Sequence, residues 1–344
     1  GGLSKFKKIS NPIKLSANES ALGASPRAIE AYIKDKDKIF KYPESDSNTL
    51  RDVISKKFDI ESERIICGAG SDQIFDLACK LFLEKGDEVI VTEFGFIMHR
   101  IYSSIYGAKI LLAKENNYTA SVEEILKKVT EKTKIVFIAN PNNPTGTYLS
   151  KNKMLDLRAK LRSDILLIVD DAYFEFMNES DFSPGLDLFK DSKNVLITRT
   201  FSKIYGLAGL RLGWGYSSKE IINAMYQIKP PFNINRAALV AGVEAIKDND
   251  WINKAIEHNN IWAKKIFFIL ESNKISTNKP SANFFLMNFD KSKIGSDDVF
   301  EKLAKERLIL RKMEQYKISN SIRLTIGNEQ TNEHFIKTIR SILK

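Results

Sequence analysis

Cysteine and histidine are both scarce in this sequence. Its 344 residues contain two cysteines, Cys67 and Cys79, and three histidines. Two cysteines cannot build a disulfide framework, and their spacing relative to the histidines does not match a metal site. The scarcity therefore predicts a cytoplasmic protein without a bound metal, in which both cysteines are core residues.

Long apolar runs are missing as well. The most apolar segments, residues 134–139 and 165–170, have the length of strands, and none approaches the roughly 18 residues of a membrane-spanning helix. A transmembrane helix is therefore excluded. The sequence begins with Gly1-Gly2 rather than with a charged and then apolar leader, so it shows no secretory signal. Because it does not begin with Met, the sequence does not define the native N-terminus.

A basic block is absent too, although the net charge is +10. Only 13 of the 53 basic residues are arginines, and the lysines are spread along the chain without interleaved aromatic residues. This distribution predicts a solvated lysine surface, with neither nucleic acid nor a membrane as partner. Hydrophobic residues at 43% and charged residues at 28% exclude a disordered chain.

Short β-rich runs alternate with helical stretches between about residues 64 and 215. Helices are expected at about 71–84 and 96–106, and strands at 64–67, 88–92, 108–113, 134–139, 165–170 and 194–200. Strands that are apolar on both faces suit a parallel sheet covered by helices on both sides. The sequence therefore predicts an α/β protein with a large doubly wound domain and a mostly parallel sheet.

The pattern changes after Pro230-Pro231. A long helical pattern from about 234 to 272 precedes strands at 282–289, 308–311 and 321–326 and a closing helix at 331–343. This order indicates a second, smaller α+β domain. We expect an N-terminal segment 1–40 that belongs to the small domain, a large domain over 41–235, and a bridging helix with the rest of the small domain over 236–344.

The segment at residues 198–214 places two hydroxyl groups and an arginine around one lysine. Thr200, Ser202 and Arg211 can satisfy phosphate oxygens, while Lys203 supplies an amine. An amine beside an anion-binding cluster favours pyridoxal phosphate bound covalently to Lys203, although a lone lysine in a polar loop is usually solvated. The whole string, T-R-T-F-S-K-I-Y-G-L-A-G-L-R-L-G-W, resembles the lysine motif of the fold type I pyridoxal-phosphate aminotransferases.

Two further motifs follow apolar strands, where open α/β sheets bind ligands. These are A-N-P-N-N-P-T-G at 139–146 and V-D-D-A-Y-F-E-F at 169–176. The resemblance implies that Asn143 and Tyr173 bond to the ring oxygen of the cofactor and that Asp170 pairs with its pyridine nitrogen. Alone, the first motif is an ordinary turn and an aspartate at a strand end is often a helix cap, a role that Asp171 can fill.

The phosphate and ring contacts are expected from two shorter segments. G-A-G-S-D-Q at 68–73 lies between a strand and a helix, and the helix N-terminus offers free N–H groups to an anion. The resemblance implies that Ser71 and Asp72 hold the cofactor phosphate. It also implies that Phe94, in T-E-F-G-F at 92–96, stacks on the pyridine ring, although Phe94 lacks the preceding proline and a core position is the alternative.

Segments 14–26, 41–51 and 321–336 resemble the signatures of the histidinol-phosphate aminotransferase family. The resemblance implies that Tyr42 reaches the cofactor phosphate of a neighbouring subunit, so that the protein is a homodimer with shared sites. Arg323 corresponds to the arginine that takes the carboxylate of glutamate and the phosphate of histidinol phosphate, and Asn18 contacts substrate. Tyr42 could instead pack on Pro43 at the surface, and Arg323 could lie on the solvent face of a strand.

The expected activity is pyridoxal-phosphate-dependent transamination between histidinol phosphate and 2-oxoglutarate, with Lys203, Asp170 and Tyr173 as the catalytic residues. An aromatic amino acid aminotransferase and a threonine-phosphate decarboxylase share these motifs and remain alternatives. A regulator with an aminotransferase-like sensor would carry a DNA-binding module ahead of it, and only 13 residues precede the K-L-S-A-N-E-S segment that begins at Lys14. The chain departs from the family at two positions. It has Gln73 where an acidic residue is common and Asp171 where glutamate is common.

Overall fold

A computed structural model describes residues 10–344 of the chain. In this range the helices are α1 (Pro26–Asp35), α2 (Asn48–Phe58), α3 (Ser71–Phe82), α4 (Ile97–Ile105), α5 (Val122–Leu126), α6 (Lys151–Lys160), α7 (Gly185–Phe189), α8 (Lys219–Ile228), α9 (Arg236–Lys247), α10 (Asn249–Ser272), α11 (Ser296–Lys305) and α12 (Glu329–Leu343). The strands are β1 (Ile13–Lys14), β2 (Ile65–Gly68), β3 (Glu88–Thr92), β4 (Lys109–Ala113), β5 (Glu115–Asn116), β6 (Thr119–Ala120), β7 (Thr133–Ala139), β8 (Leu166–Asp170), β9 (Val195–Thr200), β10 (Gly213–Tyr216), β11 (Phe284–Asn288), β12 (Leu308–Ile309), β13 (Arg311–Lys312) and β14 (Ser321–Thr325).

The larger sheet has seven strands in the order β2-β10-β9-β8-β7-β3-β4. Strand β10 runs antiparallel to both of its neighbours, and the pairs from β9 to β4 are parallel. Alternate residues of one strand face different cores: in β8, Leu167 and Val169 pack into one cluster, whereas Leu166 and Ile168 pack into another. The predicted α/β fold with a mostly parallel, doubly wound sheet is confirmed.

The second core is built on the sheet β11-β14-β13 together with α10, α11 and α12. Strand β1 pairs in parallel with β12, so the chain near Leu15 packs into this smaller core. Helix α1 packs instead against α9, and its Ala28 lies in the larger core. The boundaries at 40/41 and 235/236 stay a prediction, and residues 1–9 of the first segment lie outside the described range.

The helical pattern over 234–272 forms two helices rather than one. The chain leaves helical geometry at Asp248, whose backbone has φ −84° and ψ 74°. The Asp248 carboxylate accepts a hydrogen bond from the backbone N–H of Trp251 at 3.2 Å, and so caps the second helix. The apolar pattern does not reveal this break, because buried residues continue on both sides of it, with Ile246 before and Ile252 after Asp248.

The parallel strands end along one edge of the large sheet. Strands β3, β7, β8 and β9 deliver Thr92, Ala139, Asp170 and Thr200 to this edge, and the turn into α3 follows the end of β2. Arrangements of this kind bind ligands at the carboxyl ends of the strands. No helix within residues 10–344 has the length and apolar character needed to cross a membrane, and both cysteines are buried as predicted.

Candidate active site

A cleft of about 400 Å³ lies at this sheet edge, between the large sheet and the smaller core. All of the predicted site residues line it except Phe94 and Tyr42: Asn18, Ser71, Asp72, Asn143, Asp170, Tyr173, Thr200, Ser202, Lys203, Arg211 and Arg323. These positions are spread over more than 300 residues of sequence. The fold therefore brings together side chains that the motifs identified separately.

One end of the cleft is built for an anion. Ser71 and Asp72 open α3, whose first backbone N–H groups carry the positive end of the helix dipole. Arg211 bridges the site, because its guanidinium lies 3.2 Å from a carboxylate oxygen of Asp72 and donates to Ser202 Oγ at 3.2 Å. Burial raises the pKa of Asp72, and the Arg211 charge opposes that shift.

Two glycines allow close packing at this end of the cleft, because neither has a side chain. Gly70 has φ +82°, a left-handed conformation that disfavours other residues, and a Cβ there would lie 2.7 Å from Arg211 Nη2. A Cβ at Gly213 would collide with the backbone nitrogen of Ser71. Gly70 therefore allows the Arg211 guanidinium to approach the turn before α3, and Gly213 allows the backbone of Ser71 to lie against β10.

Lys203 stands directly beyond the end of β9. Its side chain is half-buried, and its Nζ lies 5.6 Å from the centroid of the Tyr173 ring. The backbone N–H of Gly206 donates to the carbonyl of Lys203 at 3.1 Å, which fixes the turn that carries the lysine. An amine thus reaches the centre of the cleft from a fixed backbone.

The Asp170 carboxylate is buried at the floor of the cleft, with 4% of the residue exposed. Thr198 Oγ1, on the neighbouring strand, donates to Asp170 Oδ1 at 3.4 Å, and His99 Nε2 lies 3.6 Å from Oδ2. The His99 ring stacks on Phe137 with centroids 4.5 Å apart. The sequence motifs gave His99 no role at this site, although its position on α4, soon after the end of β3, was a signal for one.

Asn18 reaches the cleft from the smaller core and contacts Tyr173. Its Nδ2 donates to the Tyr173 hydroxyl at 2.9 Å. Thr325 on β14 holds Asn18 from behind, because Thr325 Oγ1 accepts from the Asn18 backbone N–H at 3.0 Å and donates to Asn18 Oδ1 at 3.1 Å. Asn18 therefore joins β14 to the tyrosine across the cleft.

Two arginines face the cleft from adjacent strands. Arg323 on β14 and Arg311 on β13 are direct partners in the antiparallel register. Arg323 is buried and donates to Asn143 Oδ1 and, at 2.9 Å, to the carbonyl of Ser16. Burial lowers the pKa of Arg323, and the neighbouring Arg311 charge adds to that effect. Arg311 was not predicted, because sequence does not show which residues pair across strands.

The structure does not bring Phe94 to the cleft, contrary to the prediction. After β3 the chain turns back, with the Gly95 N–H donating to the Thr92 carbonyl at 3.0 Å. The Phe94 ring consequently contacts Tyr118, at a centroid distance of 5.5 Å, and lines a separate cavity. Phe96, two residues later and immediately before α4, lines the cleft instead.

Tyr42 lies on the surface and outside the cleft of its own chain. The residue is 79% exposed, and its ring stacks on Phe232 at a centroid distance of 4.5 Å with 22° between the planes. The contact of Tyr42 with a neighbouring subunit stays a prediction.

The chain resembles known proteins along almost its whole length. Residues 10–339 match the family model described as aminotransferase class I and II. A histidinol-phosphate aminotransferase of Pelagibacter ubique is 53% identical over 342 residues, covering 99% of this chain and 95% of that protein. One of Maricaulis maris is 37% identical over 346 residues, covering 100% and 95%.

Solved structures give the same fold. The crystal structure of a histidinol-phosphate aminotransferase from Sinorhizobium meliloti in complex with pyridoxal-5'-phosphate has a TM-score of 0.90 and 21% identity, covering 99% of this chain and 94% of that one. The aspartate aminotransferase of Thermotoga maritima has a TM-score of 0.85 and 20% identity, covering 99% and 94%. At these identities the likeness concerns the fold alone.

Proposed function

Because this chain belongs to the class I and II aminotransferase family and is similar to histidinol-phosphate aminotransferases along almost its whole length, we propose that it transfers the amino group of histidinol phosphate to 2-oxoglutarate. The products are imidazole acetol phosphate and glutamate, and the reaction serves histidine biosynthesis. The observation that carries the proposal is the 53% identity over 342 residues. A cytoplasmic location remains a prediction from the two free, buried cysteines.

The cofactor of this enzyme is pyridoxal phosphate, and the residues of the cleft fit it. Its phosphate needs N–H and hydroxyl donors and a cation in a space free of side chains. The N-terminus of α3, Ser202 and Arg211 supply the donors, and Gly70 and Gly213 leave the space. We therefore assign the phosphate to this end of the cleft, with Thr200 and Ser71 beside it.

Asp170 and Lys203 carry the chemistry at the other end. When bound, pyridoxal phosphate supplies an electron sink for the electrons of the substrate Cα–H bond. Asp170 keeps the pyridine nitrogen protonated, because its buried carboxylate faces the cleft and stabilises a positive charge there. Lys203 holds the cofactor at rest and, once its amine is free, moves the proton from the substrate Cα. Asn143 and Tyr173 orient the ring oxygen.

Two arginines in the cleft suit a substrate that carries an anionic group. The Arg323 guanidinium is held by Asn143 and the Ser16 carbonyl, so it presents a fixed fork to a carboxylate or phosphate. Arg311 adds a second guanidinium from the next strand. We assign the phosphate of histidinol phosphate and a carboxylate of glutamate to this pair.

A homodimer with shared sites is the proposed assembly. Large apolar side chains are exposed on α1 and in the segment after it: Ile29, Tyr32, Ile33, Ile39, Phe40 and Tyr42. Large apolar side chains exposed in such number on one segment are typical of a permanent subunit interface. Tyr42 lies within it, so a second copy of the chain would bring Tyr42 towards the cofactor phosphate of its partner.

A half-reaction tests the substrate. The purified enzyme with bound cofactor is mixed separately with histidinol phosphate, phenylalanine and threonine phosphate, and the visible absorbance of the lysine-linked cofactor is followed. We expect rapid loss of the band with histidinol phosphate alone, because only this ligand combines the amine with both a phosphate ester and an imidazole ring; phenylalanine lacks the phosphate, and threonine phosphate lacks the ring. Faster conversion by phenylalanine would indicate an aromatic amino acid aminotransferase. Release of carbon dioxide from threonine phosphate would indicate a decarboxylase.

The same half-reaction isolates the role of Arg311. In Arg311→Met the histidinol phosphate concentration for half-maximal rate should rise about tenfold to a hundredfold, because a charge-assisted hydrogen bond to phosphate is lost. Lys312→Met is the matched control, since Lys312 lies next on β13 but pairs with Asp297 at 2.6 Å outside the cleft. Equal effects of both variants would show that only the overall charge matters.

Phe96 and Phe94 provide a second matched pair. Phe96→Leu should release the cofactor about three to ten times faster, because an aromatic ring beside the pyridine is lost. Phe94→Leu should leave the release rate unchanged and lower the melting temperature, since Phe94 packs with Tyr118 away from the cleft. The measurement is the loss of cofactor absorbance after rapid dilution of the holoenzyme. The reverse pattern would restore Phe94 as the stacking residue.

A further inference from the structure

An aromatic pair that faces solvent is built into the surface beside the cofactor site. Phe232 is 41% exposed and Tyr42 is 79% exposed, yet the two rings are stacked at 4.5 Å. Neither ring lines the cleft of its own chain. Because exposed aromatic rings add little to the stability of a single chain, an ordered stack of this kind indicates a contact with another molecule.

The backbone at Phe232 is constrained. Its φ is +53°, in the left-handed region that bulky residues rarely occupy. The next residue, Asn233, is held by two hydrogen bonds: its Nδ2 donates to the Cys67 carbonyl at 3.1 Å and to Gln73 Oε1 at 2.7 Å. Strained positions of this kind persist where the surroundings fix them, and they concentrate at functional sites.

The hydrogen bonds that hold Asn233, next to Phe232, also reach the phosphate end of the cleft. Gln73 Oε1, which accepts from Asn233, also accepts from the backbone N–H of Ala69 at 2.8 Å. Ala69 stands in the turn that leads into Ser71 at the start of α3. Gln73 replaces an acidic residue that is common in the family, and here its amide oxygen links the aromatic pair to the phosphate turn.

The segment that carries Tyr42 is tied to the same place. Lys229 Nζ donates to the carbonyl of Ser45 at 3.0 Å and to Asn233 Oδ1 at 3.2 Å. The Tyr226 hydroxyl adds a bond to the Asp46 carbonyl at 3.4 Å. Segments 42–46 and 226–233 are therefore held as one unit, with the two rings at its exposed end.

We propose that Phe232 is a positioning residue for the neighbouring subunit: it fixes the Tyr42 ring so that Tyr42 meets the partner's cofactor phosphate. The inference rests on the proposed function and its homodimer. Tyr42 needs such support, because an exposed side chain that must donate to a phosphate in another chain loses rotational freedom on binding. The Phe232 ring removes that freedom beforehand.

Cofactor release from the holoenzyme tests the inference. Phe232→Leu keeps an apolar side chain but removes the stacked ring, and we expect release to be about three to ten times faster. Phe232→Tyr restores the ring and should restore the wild-type rate. Phe268→Leu is the control, because Phe268 on α10 is also an exposed phenylalanine but lies outside this unit. Unchanged release in Phe232→Leu would overturn the inference.

Hybrid dimers show in which subunit Phe232 acts. In a hybrid of one Lys203→Ala chain and one Phe232→Leu chain, the site that retains Lys203 receives Tyr42 and Phe232 from the first chain. We expect this site, read by its lysine-linked absorbance, to release cofactor at the wild-type rate. When both changes are on one chain and the partner is wild type, release should be fast. The opposite pattern would mean that Phe232 acts within its own chain.

Sedimentation equilibrium separates failure of the inference from failure of the proposed function. A dimer in which Phe232→Leu has no effect contradicts the positioning role but leaves the aminotransferase assignment intact. A wild-type monomer that transaminates histidinol phosphate removes the shared site, and with it the inference. A protein that fails the half-reaction removes the proposed function itself.

Discussion

Lys203→Ala should lower the rate of transamination by more than about a thousandfold, because it removes both the covalent attachment of the cofactor and the general base. Among the side chains of residues 10–344 that line the cleft, Lys203 carries the one amine. The arginines around it cannot take its place, since a guanidinium is not deprotonated in proteins. The measurement is kcat with histidinol phosphate, together with the absorbance spectrum of the purified protein.

The spectrum and the folding of this variant separate chemistry from structure. Without the lysine the band of the lysine-linked cofactor should be absent, whereas the melting temperature should change little because Lys203 is only half-buried. Lys219→Ala is the matched control, since Lys219 forms an exposed ion pair with Glu63 on another part of the surface. Normal turnover in Lys203→Ala would falsify the assignment of the site.

The sheet was predictable from sequence because its strands are apolar on both faces. Segment 165–170 reads as a continuous apolar run, and the structure divides it between two cores on opposite sides of the sheet. A strand that is apolar on both faces must be covered on both sides, which favours a parallel sheet between two layers of helices. The boundary between α9 and α10 was not predictable in this way, because Asp248 interrupts the backbone but not the apolar pattern.

Most residues that line the cleft could be identified from sequence motifs, because each motif follows a strand and the sheet fixes where that strand ends. Asp170 and Asn143 illustrate this, since the β8 and β7 strand ends bring them to one cleft. Contacts between distant segments escaped prediction. Arg311 faces Arg323 only through antiparallel register, and Phe96 replaces Phe94 because a turn of four residues decides which ring enters the cleft.

The second large effect is expected at Asp170. Asp170→Asn keeps the size of the side chain and removes its negative charge, so that the pyridine nitrogen loses the partner that keeps it protonated. We expect kcat to fall about a hundredfold to a thousandfold, the loss typical of a buried electrostatic contact made in the transition state. Lys203 should still bind the cofactor covalently, because Asp170 takes no part in that bond.

Asp171→Asn is the control that distinguishes the two neighbouring carboxylates. Asp171 faces away from the cleft, where it accepts from the Gly185 N–H at 2.8 Å and lies 3.7 Å from Arg199. Its loss removes a carboxylate that lies close to the buried Arg199 guanidinium, so it should lower the melting temperature more than kcat. Asp170→Asn should do the reverse, because a carboxylate that faces the cleft acts on the cofactor rather than on the core. Equal losses of activity in the two variants would mean that Asp170 acts through the fold alone.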